Sequence, residues 1–389
     1  MTPIGSRPHK LPMLYPMKHH PVFLCFPYGG RRFASQLSKK DAPDRGDVAE
    51  SWEISDVGEH QSRVANGPLR GSTLRQLMER FQSRLVGEEV WAVYGDYFPL
   101  LVKFLDCDKR LPAHMHPSDD DVRRLGLTGS GKAEAWYIVT AEPGAMAYCG
   151  SLPGLSPESF RQAIACGDNY DGVMVKVPVR AGQTYFVPAG RLHALDAGCL
   201  AFEIQQNSLA GFGWDWAGFV EAGVIPADEA ARHPELAIQC ATYEDGERQD
   251  VAPITACPPA TCSGHAERVF CAACRYFVLE HWSFSETLSF FDAAPRFNTF
   301  TVISGSVRVE GHAEEVVAET GESILLPALV PANFQSVEAG KSAVLLRSYV
   351  PQLTRDVIEP LRAEGHTREA ILSLGSYGQG NDLAREPDF

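Results

Sequence analysis

The stretches PAHMHPSDDD (112–121), GKAEAWYIVTAEPGA (131–145) and AGQTYFVPAGRLHAL (181–195) decide how this chain is read. In the first, His114 and His116 stand two apart, and residues two apart on a strand point to one face. In the second, Glu134 heads an apolar, aromatic run. In the third, Gly182, Pro188, Gly190 and His193 follow a G-x5-P-x-G-x2-H pattern, a turn between strands with a histidine at a fixed distance behind it. Carried on separate inward-facing strands, His114, His116, Glu134 and His193 make a set of three nitrogens and one oxygen. Such a set suits a catalytic divalent ion with room left for substrate. A bare His-x-His carries little, because strand histidines are commonly surface or satisfied core residues. The glycine- and proline-punctuated third stretch tips the balance toward metal.

At 389 residues the chain has the length for two ordinary cores. A net charge of −14, with no sustained Lys/Arg block, argues against nucleic acid or an anionic membrane surface as partner. A local basic pocket for a small anion stays compatible with it. The start, MTPIGSRPHKLPMLYPMKHH, has no apolar core or cleavage pattern of a secretory signal. No apolar run reaches the roughly 20 residues of a membrane span. The expectation is a cytoplasmic enzyme acting on a small molecule, its oligomeric state open.

Five of the ten cysteines (Cys240, Cys257, Cys262, Cys271, Cys274) crowd into one region with His265. Cys271-x2-Cys274 behind Cys257-x4-Cys262 admits a structural zinc site. The short second gap, and the strand-like RYFVLEHW that follows at once, favour reduced thiols in a connecting segment.

Along the chain, PVFLCF (21–26), ESWEISD (50–56) and YFPLLVKFLDCD (97–108) read as strands. TLRQLMERFQSRLV (73–86) reads as a helix with Thr73 as cap and Gln76 in the capping-box position. DDDVRRLGLTGSG (119–131) reads as a polar excursion, and SPESFRQAIACG (156–167) as a helix capped by Ser156. Many short strands with Gly/Pro turns predict a mainly β protein of two small barrels with few short helices. The predicted divisions are a first metal-binding barrel with its N-terminal region (1–225), a connecting segment (226–270), a second barrel (271–350), and a helix with a disordered tail (351–389). In the second barrel Gly321-x5-Pro327 repeats Gly182-x5-Pro188, but Leu329 and Ala332 replace the glycine and histidine. That barrel is expected to lack a metal and contribute packing.

The double histidine motif resembles the cupin barrels. The order WEISD, NGPLRGSTL, FPLLVKFLD, HMHPSDD, GKAEAWYI, EPGA, VPAGRLHAL, FEIQQNS resembles the type I phosphomannose isomerases in their short bacterial form, closely over about residues 28–210 and more loosely beyond. The resemblance implies two cupin-like jelly rolls and zinc in the first, held by His114, His116, Glu134 and His193. It also implies interconversion of mannose 6-phosphate and fructose 6-phosphate. His114 stands where the family more often has glutamine. Lys132 matches an active-site lysine of the family, and Glu203, in FEIQQNS, is a candidate proton carrier.

One departure counts. Where the family carries an arginine for the sugar and its phosphate, this chain has NSLAGFGWDW (207–216), with no arginine. Losing a guanidinium removes a strong bidentate anion contact. Either Arg191, Lys132, or Arg31 and Arg32 compensate, or the substrate differs. Trp214 and Trp216 offer an aromatic wall for a sugar ring, although core packing is the commoner use of tryptophan. The leading expectation is therefore a zinc-dependent aldose–ketose isomerase, with Lys132 and Glu203 as catalytic residues and Arg191 and Trp214 against the substrate. Its alternatives are an isomerase of a different or unphosphorylated sugar, and a sugar-binding homologue without turnover.

Overall fold

Antiparallel strands are the main regular structure of this chain, and most of them assemble as two pairs of facing sheets. The structure is a computed structural model describing residues 12–243, 251–312, 314–338, 340–375, 380–387 and 389. In the first pair, one sheet runs in the order Thr184–Val187, Glu134–Ala141, Cys199–Gln206, Leu100–Cys107, Val48–Ile54, Val22–Gly30. Its partner runs Met174–Pro178, Met146–Ser151, His193–Leu195, His114–Met115, Phe212–Gly213. Leu100–Cys107 and Cys199–Gln206 are buried along their whole lengths, so each reads as a continuous apolar run broken by a few charges. Of those charges, Lys103 and Glu203 meet in the space where the site lies, whereas Asp106 faces the other way and pairs with Arg32.

The second pair repeats the plan. Its larger sheet runs Ile254–Ala256, Ala266–Ala273, Val278–Phe284, Ala343–Tyr349, Asn298–Ser304, Ser323–Leu326, Met17–His20, Arg63–Val64. The smaller runs Thr287–Phe290, Ala332–Ser336, Ser306–Glu310, Glu315–Glu319. Sheet membership departs from the expected chain divisions at two places. Met17–His20 pairs with Ser323–Leu326 in the second sheet pair, Met17 opposite Leu325. Ala266–Ala273 begins inside the stretch expected to be connection. One apolar core runs across both pairs, with Phe98 against Phe297 and Phe186 against Phe277. Cys271 and Cys274 are buried within it as free thiols, and Cys257 is exposed.

The helices follow their caps. Thr73 and Gln76 form the expected capping box on Leu74–Phe81, but Gln82 takes φ +51° and ends it, so 73–86 is two helices with the second at Ser83–Val86. The polar excursion after His116 contains a helix, Asp119–Leu125, capped by Ser118 and Asp121. With Val122 as its one buried residue it has too little apolar periodicity to reveal itself. Ser156 caps Pro157–Ala165, as expected. The tail expected to be disordered is anchored where it is described: Leu383 is fully buried, and Asn381 Nδ2 donates to the Leu372 carbonyl at 2.8 Å. Residues 376–379 and 388 lie outside the described residues.

The turn repeat is visible in the backbone. Gly182 and Gly321 have φ of +86° and +90°, and Gly190 has +88°. Leu329, in the position of Gly190, is left at +58°, where a side chain is strained. At Gly190 a Cβ would also come within 2.4 Å of Thr242 Oγ1. Gly190→Ala is therefore expected to cost about 1–3 kcal/mol, read as a lower urea midpoint, whereas Leu329→Gly leaves the midpoint equal or higher.

His19, on the strand held between Ser323–Leu326 and Arg63–Val64, is buried with Nδ1 at 3.0 Å from Ser62 Oγ. Burial, aided by the charge of His20, pulls it from 6.5 to about 3. The unfolded chain takes up this proton near 6.5 and the folded chain does not until about 3, so stability from His19 is complete above that window and falls as pH drops through it. His19→Gln should flatten the acid limb of stability by up to about 1.4 kcal/mol per pH unit, measured by equilibrium unfolding between neutral and acid pH.

Candidate metal centre

Register brings the predicted ligands together. His193 pairs directly with His114 across two short strands of one sheet, and Gly213 pairs with His114 on its other side. Glu134 opens the facing sheet's strand, opposite Val187 and Gln205. His193 Nε2 lies 3.0 Å from His114 Nε2 and 3.3 Å from Glu134 Oε1, and His116 Nε2 lies 3.2 Å from Glu134 Oε2. Ligands about 2.0–2.1 Å from a common centre in a tetrahedron stand roughly 3.3 Å apart. Three of the four expected ligands, the histidines, thus form a metal-capable group among the described residues, their ligand atoms within 4.8 Å of one another, and Glu134 lies against two of them.

The main chain fixes which nitrogen each ring presents. His114 Nδ1 is 2.8 Å from the Pro112 carbonyl, His116 Nδ1 is 2.8 Å from that of Ala210, and His193 Nδ1 is 2.9 Å from that of Arg191. A carbonyl only accepts, so each Nδ1 carries the ring's proton and each Nε2 turns a lone pair inward. Burial holds all three rings neutral, His116 and His193 down at about 3 and His114 well below its ordinary value, with His193 adding to the push on His114. Burial works against ionisation of Glu134, but Lys132 and then the histidines hold its carboxyl well below the usual range. His116 Nε2 is buried without a hydrogen-bond partner, and Glu134 Oε2 lies against the Lys132 ammonium. Converging lone pairs beside a carboxylate, with no proton between them, repel unless a cation sits among them. The donor set fits a divalent metal.

Next to this centre runs a chain of buried charges. Lys132 Nζ is 2.7 Å from Glu134 Oε2 and 3.4 Å from Glu203 Oε1. Lys103 Nζ is 3.3 Å from Glu203 Oε1 and 3.1 Å from Glu50 Oε2. Trp136 Nε1 donates to Glu203 Oε2 at 3.2 Å, while Tyr28 and Trp52 donate to Glu50, each at 2.6 Å. Burial and then the charge of Glu134 push Glu203 above the ordinary carboxylate range, with Lys103 and Lys132 opposing. Lys103 and Glu50 belong to no ligand or catalytic motif in the sequence. Their signal is a lysine inside the apolar run LLVKFLDC, two-sided in register with Glu203 and Trp52.

The other predicted residues fall elsewhere. Trp214 is buried edge-on to Phe160 with its indole N–H donated to the Asn169 carbonyl; its neighbour Trp216 lies against His114, ring centroids 6.3 Å apart. Arg191 is buried and donates to the Phe186 carbonyl at 2.8 Å. Arg31 pairs with Asp44, and Arg32 with Asp106 and Glu142, away from the histidines. Of the cations named as compensating for the absent arginine, Lys132 is the one placed among the ligands. The departing segment itself serves the centre: Ala210 supplies the His116 carbonyl, and a Cβ on Gly211 would stand 3.2 Å from His116 Nδ1.

Residues 27–145 match the model of the phosphomannose isomerase type I catalytic domain. Over those residues the chain is similar to the type I phosphomannose isomerases. Probable mannose-6-phosphate isomerase GmuF of Bacillus subtilis is 29% identical over 321 residues, covering 81% of this chain and 94% of the relative. Among solved structures, mannose 6-phosphate isomerase from Bacillus subtilis aligns over 86% of this chain and 99% of its own, with TM-score 0.72 and 25% identity. A mannose 6-phosphate isomerase crystallised with zinc and yttrium shares the fold at TM-score 0.64 and 15% identity, over 86% of this chain and 99% of its own. The chain thus shares the sheet scaffold of these isomerases, and three histidines converge where its two facing sheets meet.

Elemental analysis of the purified protein should find one divalent ion per chain. His193→Ala and His116→Ala are expected to abolish stoichiometric binding while Trp214→Phe leaves it intact.

Proposed function

We propose that the protein is a metal-dependent aldose–ketose isomerase interconverting mannose 6-phosphate and fructose 6-phosphate. The observation that carries this is the inward set of three Nε2 lone pairs and Glu134, set beside a buried carboxyl held above its ordinary range. His114, His116, Glu134 and His193 would hold the ion, zinc being the one crystallised with a fold relative. Such an ion supplies Lewis-acid polarisation of the sugar's carbonyl and hydroxyl oxygens.

The chain's own residues do the rest. The reaction moves a proton between C1 and C2 and another between the oxygens on those carbons, so no external oxidant or reductant enters. Glu203 is the proton carrier: burial keeps its carboxyl close enough to both protonation states to accept and return a proton. Lys132, against both Glu134 and Glu203, holds the two carboxyls apart in charge and brings an ammonium to the developing oxyanion. Trp136 aims Glu203 by donating to its second oxygen. Trp216 packs against His114, the half-buried ring of the three.

The absence of an arginine from 207–216 favours one second reading, an isomerase of the same chemistry acting on an unphosphorylated aldose. Metal-loaded protein is expected to convert mannose 6-phosphate to fructose 6-phosphate and to exchange the C2 hydrogen in deuterated water. Glu203→Gln should lower kcat by about 10²–10⁴-fold with metal retained. Turnover of mannose but not its phosphate selects the second reading, and metal binding without exchange on either sugar overturns both.

A further inference from the structure

The second sheet pair carries the positions of the metal centre with different side chains, and the register assigns them one by one. Gly182 and Gly321 are matched by the turn repeat, which matches Val187 to Leu326, five residues on. Val187 pairs with Glu134 and Leu326 with Asn298, so Asn298 stands in the place of Glu134. Glu203 pairs with Trp136, two beyond Glu134, and Arg347 with Phe300, two beyond Asn298; Arg347 therefore replaces Glu203. Across the next ladder Lys103 opposes Glu203 and Glu280 opposes Arg347. One strand further, Glu50 opposes Leu105 and Arg268 opposes Trp282. On the facing sheet His193 pairs with His114 as Ala332 pairs with Phe290, which puts Asp292 where His116 would be.

The buried triad Glu50–Lys103–Glu203 is thus matched by Arg268–Glu280–Arg347, with every charge reversed. Arg347 donates to Asn298 Oδ1 at 2.8 Å, to Glu280 at 3.0 Å and to Asp292 at 2.6 Å. Arg268 donates to Glu280 at 2.5 Å and more weakly to the Cys257 carbonyl at 3.3 Å. Over these groups opens a cavity of about 630 Å³, within the range of small-molecule sites. Four guanidiniums line it (Arg268, Arg296, Arg347, Arg355) against three carboxylates (Asp292, Asp356, Glu364), while Glu280 lies behind the wall. Arg268 is 5% exposed, and its Nε has no hydrogen-bond partner. A buried guanidinium N–H left unmet is costly, and a ligand oxygen in the cavity would meet it.

We propose that this cavity is a second binding site, taking a small multivalent oxyanion of the phosphate or carboxylate class. The plan that gathers lone pairs around a cation in the first sheet pair gathers N–H donors here, and planar guanidiniums match the paired oxygens of such anions. The site is separate from the metal centre, sharing no residue with it.

The test uses metal-loaded protein with inorganic phosphate and citrate in separate calorimetric titrations, repeated on Ala260→Glu and Ala260→Gln. Ala260 is exposed on the cavity wall and outside the arginine network, so neither variant disturbs the buried pairs. The expected result is binding to wild type and Ala260→Gln, weakened at least about tenfold in Ala260→Glu by a like charge at the wall, with isomerase KM unchanged. Phosphate alone or citrate alone responding names the anion class and supports the site. No binding of either anion, or equal binding by the two variants, overturns it.

Discussion

Three imidazole rings pinned by main-chain carbonyls are what the functional region of this molecule depends on. Pro112, Ala210 and Arg191 each take the Nδ1 proton of one histidine, and so leave three Nε2 lone pairs facing one carboxylate. The carbonyls belong to backbone fixed by sheet register and by the segment after Ser208, so the ligand geometry is inherited from the fold rather than chosen by flexible side chains. The same burial that keeps the rings neutral makes unpaired charge costly. Lys132, Glu203, Lys103 and Glu50 answer with alternating sign from the centre outward.

That alternation also explains how one scaffold hosts two unlike interiors. Inward-facing positions on adjacent strands are close enough for opposite charges to satisfy one another, and the sheet is indifferent to which strand carries which sign. Glu–Lys–Glu and Arg–Glu–Arg both alternate in sign on the same backbone plan. The sign chosen sets what the space above it attracts.

Much of this was legible in residue patterns. The strand alternation and the Thr73 and Ser156 caps rest on local periodicity or fixed spacing, which the chain carries in short windows. The Asp119–Leu125 helix was hidden because a helix held by its cap and charges, with one buried residue, has no apolar stripe. Lys103, Glu50 and the reversed triad were hidden for another reason. Their meaning lies in which strands pair, and pairing joins residues such as Lys103 and Glu203 that are a hundred positions apart. Trp214 and Trp216 show the limit of composition: two tryptophans two apart, one in the core against Phe160 and one at the His114 ring.

The strand Met17–His20 has a mechanical consequence. It bridges Ser323–Leu326 and Arg63–Val64, so the earliest described strand closes a sheet built mainly from the far end of the chain. A cut in the segment linking the halves would leave the fragments clasped, each lacking an edge that the other provides. The halves are therefore expected to melt as one cooperative body, and a fragment starting after that strand would expose a raw sheet edge along Ser323–Leu326.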